Sequence, residues 1–313
     1  MTNDLTIAEN TGENAVVAGG VESLLYGFFM FIDVKAKSAE TYKKATRQFK
    51  RYIKERGITE PTRETIIAWR DYLKADHKAT TIQLYLTAIK LFFSYLELKG
   101  LYKNVAQKVK GVRIEKGHKK DNLTAEQSKA VLTEIDTSTV KGKRDYAIIA
   151  LLLTTGLRTI EIVRADLQDL RTVGNSPVLF VQGKGRDEKS EYVKLAPQVD
   201  KAIREYLKTR SIKDDSEPLF TSTSNENKGE RLTTRTISKI AKTSLIDAGL
   251  NSDRLTAHSF RHTAGTLALE NGAELAQVQQ LLRHTNINTT MIYLHAIERA
   301  KNNSEAIVAN AIF

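Results

Sequence analysis

Residues 258–296 read HSFRHTAGTLALENGAELAQVQQLLRHTNINTTMIYLHA. Their apolar residues recur at helical spacing and predict three short helices, over 259–270, 275–282 and 289–297. His258 and Arg261 lie three positions apart and share one face of the first helix. His284 follows the second helix, and Tyr293 falls early on the third. Polar residues capable of chemistry therefore stand where the predicted helices begin and end.

Two upstream segments add to this set. Arg158 begins a new helical turn, and Glu161, three residues on, can hold its guanidinium in place. Lys184 lies between the segments 178–182 and 191–195, which are rich in Val, Leu and aromatic residues and predict a β-hairpin. A site made of these residues would suit a pentavalent phosphate that is attacked by a tyrosine nucleophile. DNA strand cleavage is therefore the first hypothesis. The six members of the set are Arg158, Lys184, His258, Arg261, His284 and Tyr293.

Simpler interpretations exist for each residue taken alone. Arg158 and Glu161 can form a surface ion pair, and His262 is interpreted as a buried, hydrogen-bonded structural histidine. A zinc site at His258 and His262 is disfavoured, because a third ligand and the glutamate of a metalloprotease motif are both missing nearby. A lone tyrosine normally serves packing, but the order of the whole set favours a nucleophile at Tyr293.

Composition narrows the class of protein. The chain has 313 residues, enough for two domains, and no cysteine, which excludes disulfides and thiolate metal sites. Its apolar stretches are too short to span a bilayer, and residues 1–20 lack a signal pattern. We therefore expect a cytoplasmic, nucleoid-associated protein with no membrane partner, no metal and no other cofactor.

Charge divides the chain into a basic and a nearly neutral part. The net charge is +11, and residues 35–120 hold 22 Lys and Arg against 8 Asp and Glu. Residues 121–313 hold 26 basic residues against 24 acidic ones. A basic N-terminal half favours a polyanionic partner, although a solvated helical surface rich in lysine is the alternative.

The same patterns predict the domain organisation. Residues 1–20 form a flexible acidic tail, and 21–112 form an all-helical domain whose aromatic residues follow the helical period and belong to its core. Residues 113–122 are a basic linker, 123–296 a second domain, and 297–313 an apolar C-terminal tail. The basic residues assigned to DNA binding are Lys103, Lys108, Lys110, Arg113, Lys116, Lys119 and Lys120.

In this combination the motifs resemble those of the tyrosine recombinases, the family of phage integrases and chromosome-dimer recombinases. The matching stretches are TTGLRTIEI at 154–162, GKGRDEKSEYVKL at 183–195, and residues 258–296. The resemblance covers residues 121–313, and the basic helical part resembles the core-binding domain of the family. One departure is Arg283, which stands where the family usually has glycine.

Elementary chemistry agrees with the roles that the resemblance implies. Two guanidiniums, from Arg158 and Arg261, can hold the non-bridging phosphate oxygens, and His284 can add a donor. The Tyr293 phenol must lose a proton as it attacks, so a base such as His258 is useful. Lys184 can protonate the departing 5′ oxygen. By the resemblance, Tyr293 becomes linked to the 3′ phosphate, and religation needs no ATP and no metal.

The expected fold is mainly α with a small β-hairpin or sheet. It is a two-domain DNA clamp, with an all-α, SAM-like core-binding domain and an α+β catalytic domain. The expected function is site-specific recombination by a homo-tetramer on two double-stranded DNA sites, for integration, excision or resolution of a mobile element or replicon. The resemblance implies that the tail, 297–313, docks on a neighbouring protomer, and an accessory directionality protein is a further possible partner. The alternative is a tail packed on its own domain.

Two other functions remain open at this level. A type IB topoisomerase-like enzyme would use the same residues to relax supercoils as a monomer. A non-enzymatic DNA-binding regulator would have no physical need for all six chemical residues, which argues against it.

Overall fold

The structure is a computed structural model, and it describes residues 21–32, 34, 36–114, 121–183 and 186–313. The predicted acidic tail, Lys184 and three lysines of the predicted linker (Lys116, Lys119 and Lys120) lie outside the described residues. The chain divides into two compact units, which we call the N-terminal unit (Met1–Lys116) and the C-terminal unit (Gly117–Phe313).

Helices make up the N-terminal unit. Thr62 begins the third one with a capping box, in which its hydroxyl accepts from the Thr65 backbone N–H and the Thr65 hydroxyl accepts from that of Thr62. Helix α2 packs along α4. Their bounds are α1, Val21–Phe31; α2, Ala36–Glu55; α3, Arg63–Tyr72; and α4, Ala79–Leu98.

The aromatic residues of this unit form its core. Phe49 meets Trp69 edge-on, with ring centroids 5.2 Å apart, and Phe93 packs on the other side of Phe49 at 6.1 Å. Trp69 is completely buried. The prediction that these aromatic residues serve the core rather than base stacking is confirmed for these three side chains.

The C-terminal unit is helical with one small sheet. Its helices are α5, Ala125–Thr133; α6, Val140–Thr155; α7, Thr159–Arg164; α8, Pro197–Leu207; α9, Thr234–Asp247; α10, Ala257–Glu270; α11, Leu275–Leu282; α12, Asn288–Lys301; and α13, Ser304–Ile312. Its strands are β1, Leu170–Val173; β2, Ser176–Val181; and β3, Glu191–Lys194. A capping box begins α5, in which the Thr124 hydroxyl accepts from the Gln127 backbone N–H and the Gln127 side chain accepts from that of Thr124.

Helix α6 is the centre of the C-terminal unit. It is apolar on all sides between residues 147 and 153, and a helix of that kind requires neighbours all round. Helices α8, α10, α5 and α9 supply them. Helix α10 in turn packs on α11 and α12, so the segment 258–296 is built directly onto the centre of this unit.

The sheet is antiparallel with the order β1-β2-β3. Pairing of Val181 with Glu191 and of Val178 with Lys194 confirms the predicted hairpin. Strand β1 was not predicted, because it has no apolar face that alternates along the sequence. Its first residue is partly buried and the next three are exposed. It is joined to β2 through Gly174, whose φ of 58° suits a tight hairpin turn, and Gly-Asn is a recognised two-residue turn signal.

A helix that crosses a lipid bilayer must be both long and apolar. Within the described ranges, every helix is either too short or too polar to cross a lipid bilayer.

Candidate active site

A cleft of about 340 Å³ opens in the C-terminal unit. It brings together the N-cap residue of α7, residues of α10, residues of the segment that joins α11 to α12, and residues of the first half of α12. Five members of the predicted set line it, and Lys184 lies outside the described residues. Its lining residues are Arg158, His258, Arg261, His262, His284, Thr285, Thr289, Ile292 and Tyr293.

Arg158 is placed by the end of one helix and the start of the next. Gly156 ends α6 in the left-handed region with φ of 58°, and its N–H donates to the Leu152 carbonyl. A Cβ at Gly156 would lie 2.5 Å from Leu282 Cδ2, so glycine also gives α11 room to approach. Arg158 then serves as the N-cap residue of α7.

The Glu161 carboxylate holds Arg158 at two points. Glu161 Oε2 accepts from the Arg158 backbone N–H at 2.7 Å, and Oε1 accepts from Nη1 of the same residue at 3.0 Å. Glu161 is completely buried, and its Oε2 also accepts from Nη2 of Arg283 at 2.9 Å. One buried carboxylate therefore joins two arginines.

Arg261 belongs both to the cleft and to the core. Its side chain is buried on α10, and its two terminal nitrogens donate to the carbonyls of Gly156 and Leu282. Burial, and then the positive charges of Arg158 and Arg283, lower the pKa of Arg261 to about 9. A guanidinium has five N–H donors, so donors beyond those two can serve an anion in the cleft.

His284 is fixed through both its backbone and its ring. Its N–H donates to the Gln279 carbonyl at 3.1 Å, and Gln279 Nε2 donates back to the His284 carbonyl at 3.0 Å. The ring atom Nδ1 bonds with the buried Thr290 hydroxyl at 2.9 Å. Burial and the charges of the neighbouring arginines lower the pKa of His284 to about 4, so the imidazole is neutral at neutral pH.

The Tyr293 side chain is buried against the histidines. Its ring lies parallel to that of His284, with centroids 6.3 Å apart, and 5.3 Å from the ring of His262. Burial raises the pKa of Tyr293, while the charges of Arg261 and Arg158 pull it down. The phenol is therefore protonated at neutral pH, and it needs a base in order to react.

His262 lies between His258 and Tyr293. The rings of His258 and His262 are 4.5 Å apart and nearly perpendicular. His262 is partly buried and lines the cleft, so it has more contact with Tyr293 than its interpretation as a structural histidine implied. Across the part of the chain that the structure describes, no three His, Cys, Asp or Glu side chains are grouped to hold a metal ion.

Two residues of the site were missed in the sequence. Thr290 orients the His284 ring, and a threonine within a predicted helix gives no signal of that contact. Gly265 lies within α10, where a Cβ would be 2.9 Å from Leu282 and 3.5 Å from Tyr293, and an isolated glycine in a helix can indicate such close packing. Arg283 was noted in the sequence as a departure from the usual glycine, but its contact with Glu161, which spans 122 positions, was not predicted.

Of the residues assigned to DNA binding, four lie within the described ranges. Each has an exposed side chain in the segment that follows α4, as a role in binding phosphates requires. They are Lys103, Lys108, Lys110 and Arg113.

The fold and the cleft together define the class of the tyrosine recombinases. The phage integrase family matches residues 121–299, and the N-terminal SAM-like domain of phage integrases matches residues 30–100. The chain therefore belongs to the phage integrase family and is a tyrosine recombinase, an enzyme that cleaves and rejoins DNA. The predicted family and the predicted fold class, with a SAM-like domain before a catalytic one, are confirmed.

Curated relatives agree with this assignment. Tyrosine recombinase XerC of Caldanaerobacter subterraneus subsp. tengcongensis is 35% identical over 213 residues, which cover 66% of this chain and 57% of that protein. XerC of Chlamydia caviae is 31% identical over 77% of this chain and 75% of its own length. Tyrosine recombinase XerD of Listeria monocytogenes serotype 4b is 28% identical over 88% of this chain and 93% of its own length.

Solved structures show the same fold. The post-cleavage complex of the XerH site-specific recombinase with palindromic difH gives a TM-score of 0.69 at 23% identity, covering 85% of this chain and 80% of that one. A lambda integrase dimer bound to a COC′ core site gives a TM-score of 0.66 at 15% identity, covering 86% of this chain and 96% of that one.

Proposed function

We propose that this recombinase cleaves DNA through a covalent 3′-phosphotyrosine intermediate on Tyr293 and acts as a tetramer on two DNA sites. The observation that supports the nucleophile is the cleft itself. It places the Tyr293 ring beside Arg158, Arg261 and His284, which are donors suited to a phosphate. A DNA substrate would place the enzyme at the nucleoid in the cytoplasm.

The proposed reaction exchanges one phosphoester for another. The Tyr293 oxygen attacks the scissile phosphorus, a bond from phosphorus to tyrosine forms, and the bond to the 5′ oxygen breaks. The guanidiniums of Arg158 and Arg261 stabilise the charge that grows on the non-bridging oxygens. Neutral His284, with Nδ1 bonded to Thr290, presents Nε2 to the same phosphate. The reverse reaction with another 5′-hydroxyl rejoins the strand.

Two protons move in this scheme. His258 accepts the phenol proton, either directly or through His262, whose ring lies next to both. Lys184 gives a proton to the departing 5′ oxygen, which leaves as a hydroxyl. Replacing that oxygen by sulfur makes it a better leaving group that needs no proton. Lys184→Ala should therefore slow cleavage of the ordinary substrate but not of a 5′-thio substrate, and equal slowing of both would exclude Lys184 as the acid.

A covalent adduct is the direct test of the nucleophile. The DNA site is first selected from a randomised duplex pool, and a nicked duplex carrying that site is incubated with the protein and resolved on a denaturing gel. We expect a 3′-linked adduct with the wild-type protein and none with Tyr293→Phe. Tyr192→Phe, at an exposed tyrosine of β3, is the matched control and should form the adduct normally. An adduct that persists in Tyr293→Phe would falsify the assignment.

The C-terminal helix supports the proposed tetramer. Helix α13 has no buried residue, and the apolar side chains of Ile307, Val308 and Ile312, and of Phe313 directly after the helix, are all exposed. Exposed apolar side chains in a row favour a partner surface, which we propose is a second protomer on DNA. Ile307→Ser with Ile312→Ser should leave binding to one site intact and abolish recombination between two sites.

The monomeric topoisomerase-like alternative uses the same chemistry. It predicts relaxation of a supercoiled plasmid in the absence of recombinants, at a rate that the double serine variant of α13 does not alter. Loss of recombinants in that variant, with adduct formation retained, supports the tetramer instead. Basic residues after α4 supply the proposed contacts with DNA phosphates, so binding should weaken steeply with salt.

A further inference from the structure

Arg283 adopts a backbone conformation that arginine rarely takes. It ends α11 in the left-handed region, with φ of 52° and ψ of 48°, and no other non-glycine residue of the described ranges has a positive φ. A helix end of this kind usually carries glycine, because a Cβ makes it strained. The Arg283 side chain is nevertheless only 6% exposed. A strained backbone beneath a buried charged side chain indicates that its contacts offset the strain.

Those contacts lead to the Arg158 side of the cleft. Arg283 Nη2 donates to Glu161 Oε2 at 2.9 Å, and its Nη1 donates to the Leu281 carbonyl at 2.8 Å. Glu161 Oε1 remains bonded to Nη1 of Arg158. The carboxylate is thus held from two sides, by the residue it orients and by a second arginine on a different helix end.

Charge within this group has a direct consequence for an anion in the cleft. Arg158 and Arg261 contribute two positive charges, and the buried Glu161 carboxylate cancels one of them. Arg283 restores the second net charge without entering the lining of the cleft. In a buried environment such charges are screened weakly, so the difference between one and two net positive charges is felt at the phosphate.

We propose that Arg283 is a positioning residue that fixes Glu161, and through it Arg158, and that its charge offsets the Glu161 carboxylate at the phosphate site. This inference rests on the proposed phosphoryl transfer. It predicts that removing the Arg283 charge slows cleavage even when the backbone becomes more relaxed. A purely structural role predicts the opposite, because glycine at this position relieves the strain.

Single-turnover adduct formation on the nicked duplex tests whether removing the Arg283 side chain slows cleavage. We expect Arg283→Gly to bind DNA within about twofold of the wild-type affinity but to form the adduct roughly tenfold more slowly. This loss of rate is smaller than the loss on removing a side chain that donates directly to the transition state. Arg283→Lys keeps the charge and the backbone strain and should recover most of the rate. Arg210→Met is the matched control, since Arg210 is also a nearly buried arginine paired with a glutamate, outside the cleft lining.

A neutral methylphosphonate at the scissile position separates charge from structure. The deficit of Arg283→Gly should shrink on this substrate, because it carries less negative charge for Arg283 to stabilise. An equal deficit on both substrates, or an Arg283→Gly variant as fast as the wild type, would overturn the proposal.

The His284 imidazole provides a readout that needs no DNA. Its surroundings include the charges of Arg261, Arg158, Arg283 and His258, all of which disfavour protonation. In an NMR titration of labelled histidines, with His284→Gln identifying the signal, Arg283→Gly should raise the pKa of His284 and Arg283→Lys should leave it unchanged. A His284 pKa that is the same in all three proteins would overturn the electrostatic role of Arg283.

Adduct formation by the wild type and by Arg283→Gly together distinguishes failure of this proposal from failure of the proposed function. A wild-type protein that forms no adduct on its selected site would overturn the phosphotyrosine mechanism and the role of Arg283 in it. A normal wild-type adduct, together with an unimpaired Arg283→Gly variant, would overturn the role of Arg283 alone.

Discussion

Replacing Glu161 by glutamine should destabilise the C-terminal unit strongly. The carboxylate is fully buried and accepts from the Arg158 N–H, from Arg158 Nη1 and from Arg283 Nη2. Breaking a buried ion pair on one side costs about 3–5 kcal/mol. A glutamine oxygen in the place of Oε2 keeps two of the three bonds and loses the one from Arg158 Nη1. Arg158, 28% exposed, can turn to water, so we expect a loss of about 2–3 kcal/mol.

Urea unfolding can measure this loss with an internal reference. Trp69 is the single tryptophan of the chain and lies in the core of the N-terminal unit, so its fluorescence follows that unit. Far-UV circular dichroism follows the helices of both units. We expect Glu161→Gln to lower the midpoint of the dichroism transition assigned to the C-terminal unit and to leave the fluorescence transition in place.

Glu217→Gln provides the matched control for this substitution. Its carboxylate also accepts from an arginine and from backbone N–H groups, but the side chain is 28% exposed. Ion pairs open to solvent contribute little, so the control should be destabilised much less than Glu161→Gln. A Glu161→Gln variant that loses no more than this control would refute the reasoning that Glu161 is a stabilising junction between the two arginines.

Three further predictions follow from the geometry of the same unit. Gly156→Ala should cost about 2–3 kcal/mol in urea unfolding and reduce adduct formation, because the new Cβ would meet Leu282 in a backbone region that disfavours it; a neutral substitution would contradict the close approach of α11. His284 has a pKa of about 4 when folded, below the ordinary value of 6.5, so its neutral form contributes stability above pH 6.5 that is lost as pH falls from 6.5 towards 4. Because the ring is only half-buried we expect about 1 kcal/mol, measured as a shallower pH dependence of unfolding in His284→Gln, and an unchanged slope would count against it. Lys189 ties the stretch before β3 to the carboxylates of Asp166 and Asp169, at 2.6 and 2.5 Å. Lys189→Met should therefore slow adduct formation without weakening DNA binding. The surface variant Lys208→Met should form the adduct at the wild-type rate, and equal rates for the two variants would contradict the role of Lys189.

Local pattern was sufficient for most of the fold. The apolar period gave α10 and α11 to within two residues of their bounds, and it gave the start of α12 to within one residue but its end four residues early, because each buries one face or stripe against its neighbours. The capping box at Thr124 is equally local, since its two partners lie three positions apart. Strand β1 shows the limit of this reasoning, because it is held by pairing with β2 rather than by an apolar face of its own.

The site was predicted as a set of residues and not as a set of contacts. A motif order can indicate that Arg158, Arg261 and Tyr293 serve one reaction, but distances between them depend on how α6, α10 and α12 pack. The bond from Arg283 to Glu161 depends on a left-handed helix end that an arginine is not expected to form. The Thr290 contact with His284 likewise depends on the turn before α12.

The placement of Arg261 constrains how such a protein can change during evolution. Its guanidinium ties the carbonyl ends of two helices together, so the same side chain is required for a folded unit and for the proposed chemistry. A lineage that abandons strand cleavage and keeps DNA binding can replace Tyr293 by phenylalanine, which keeps the buried ring, but it cannot easily lose Arg261. In a degenerate relative, a retained arginine at this position is therefore poor evidence of activity, whereas a retained tyrosine at position 293 is informative.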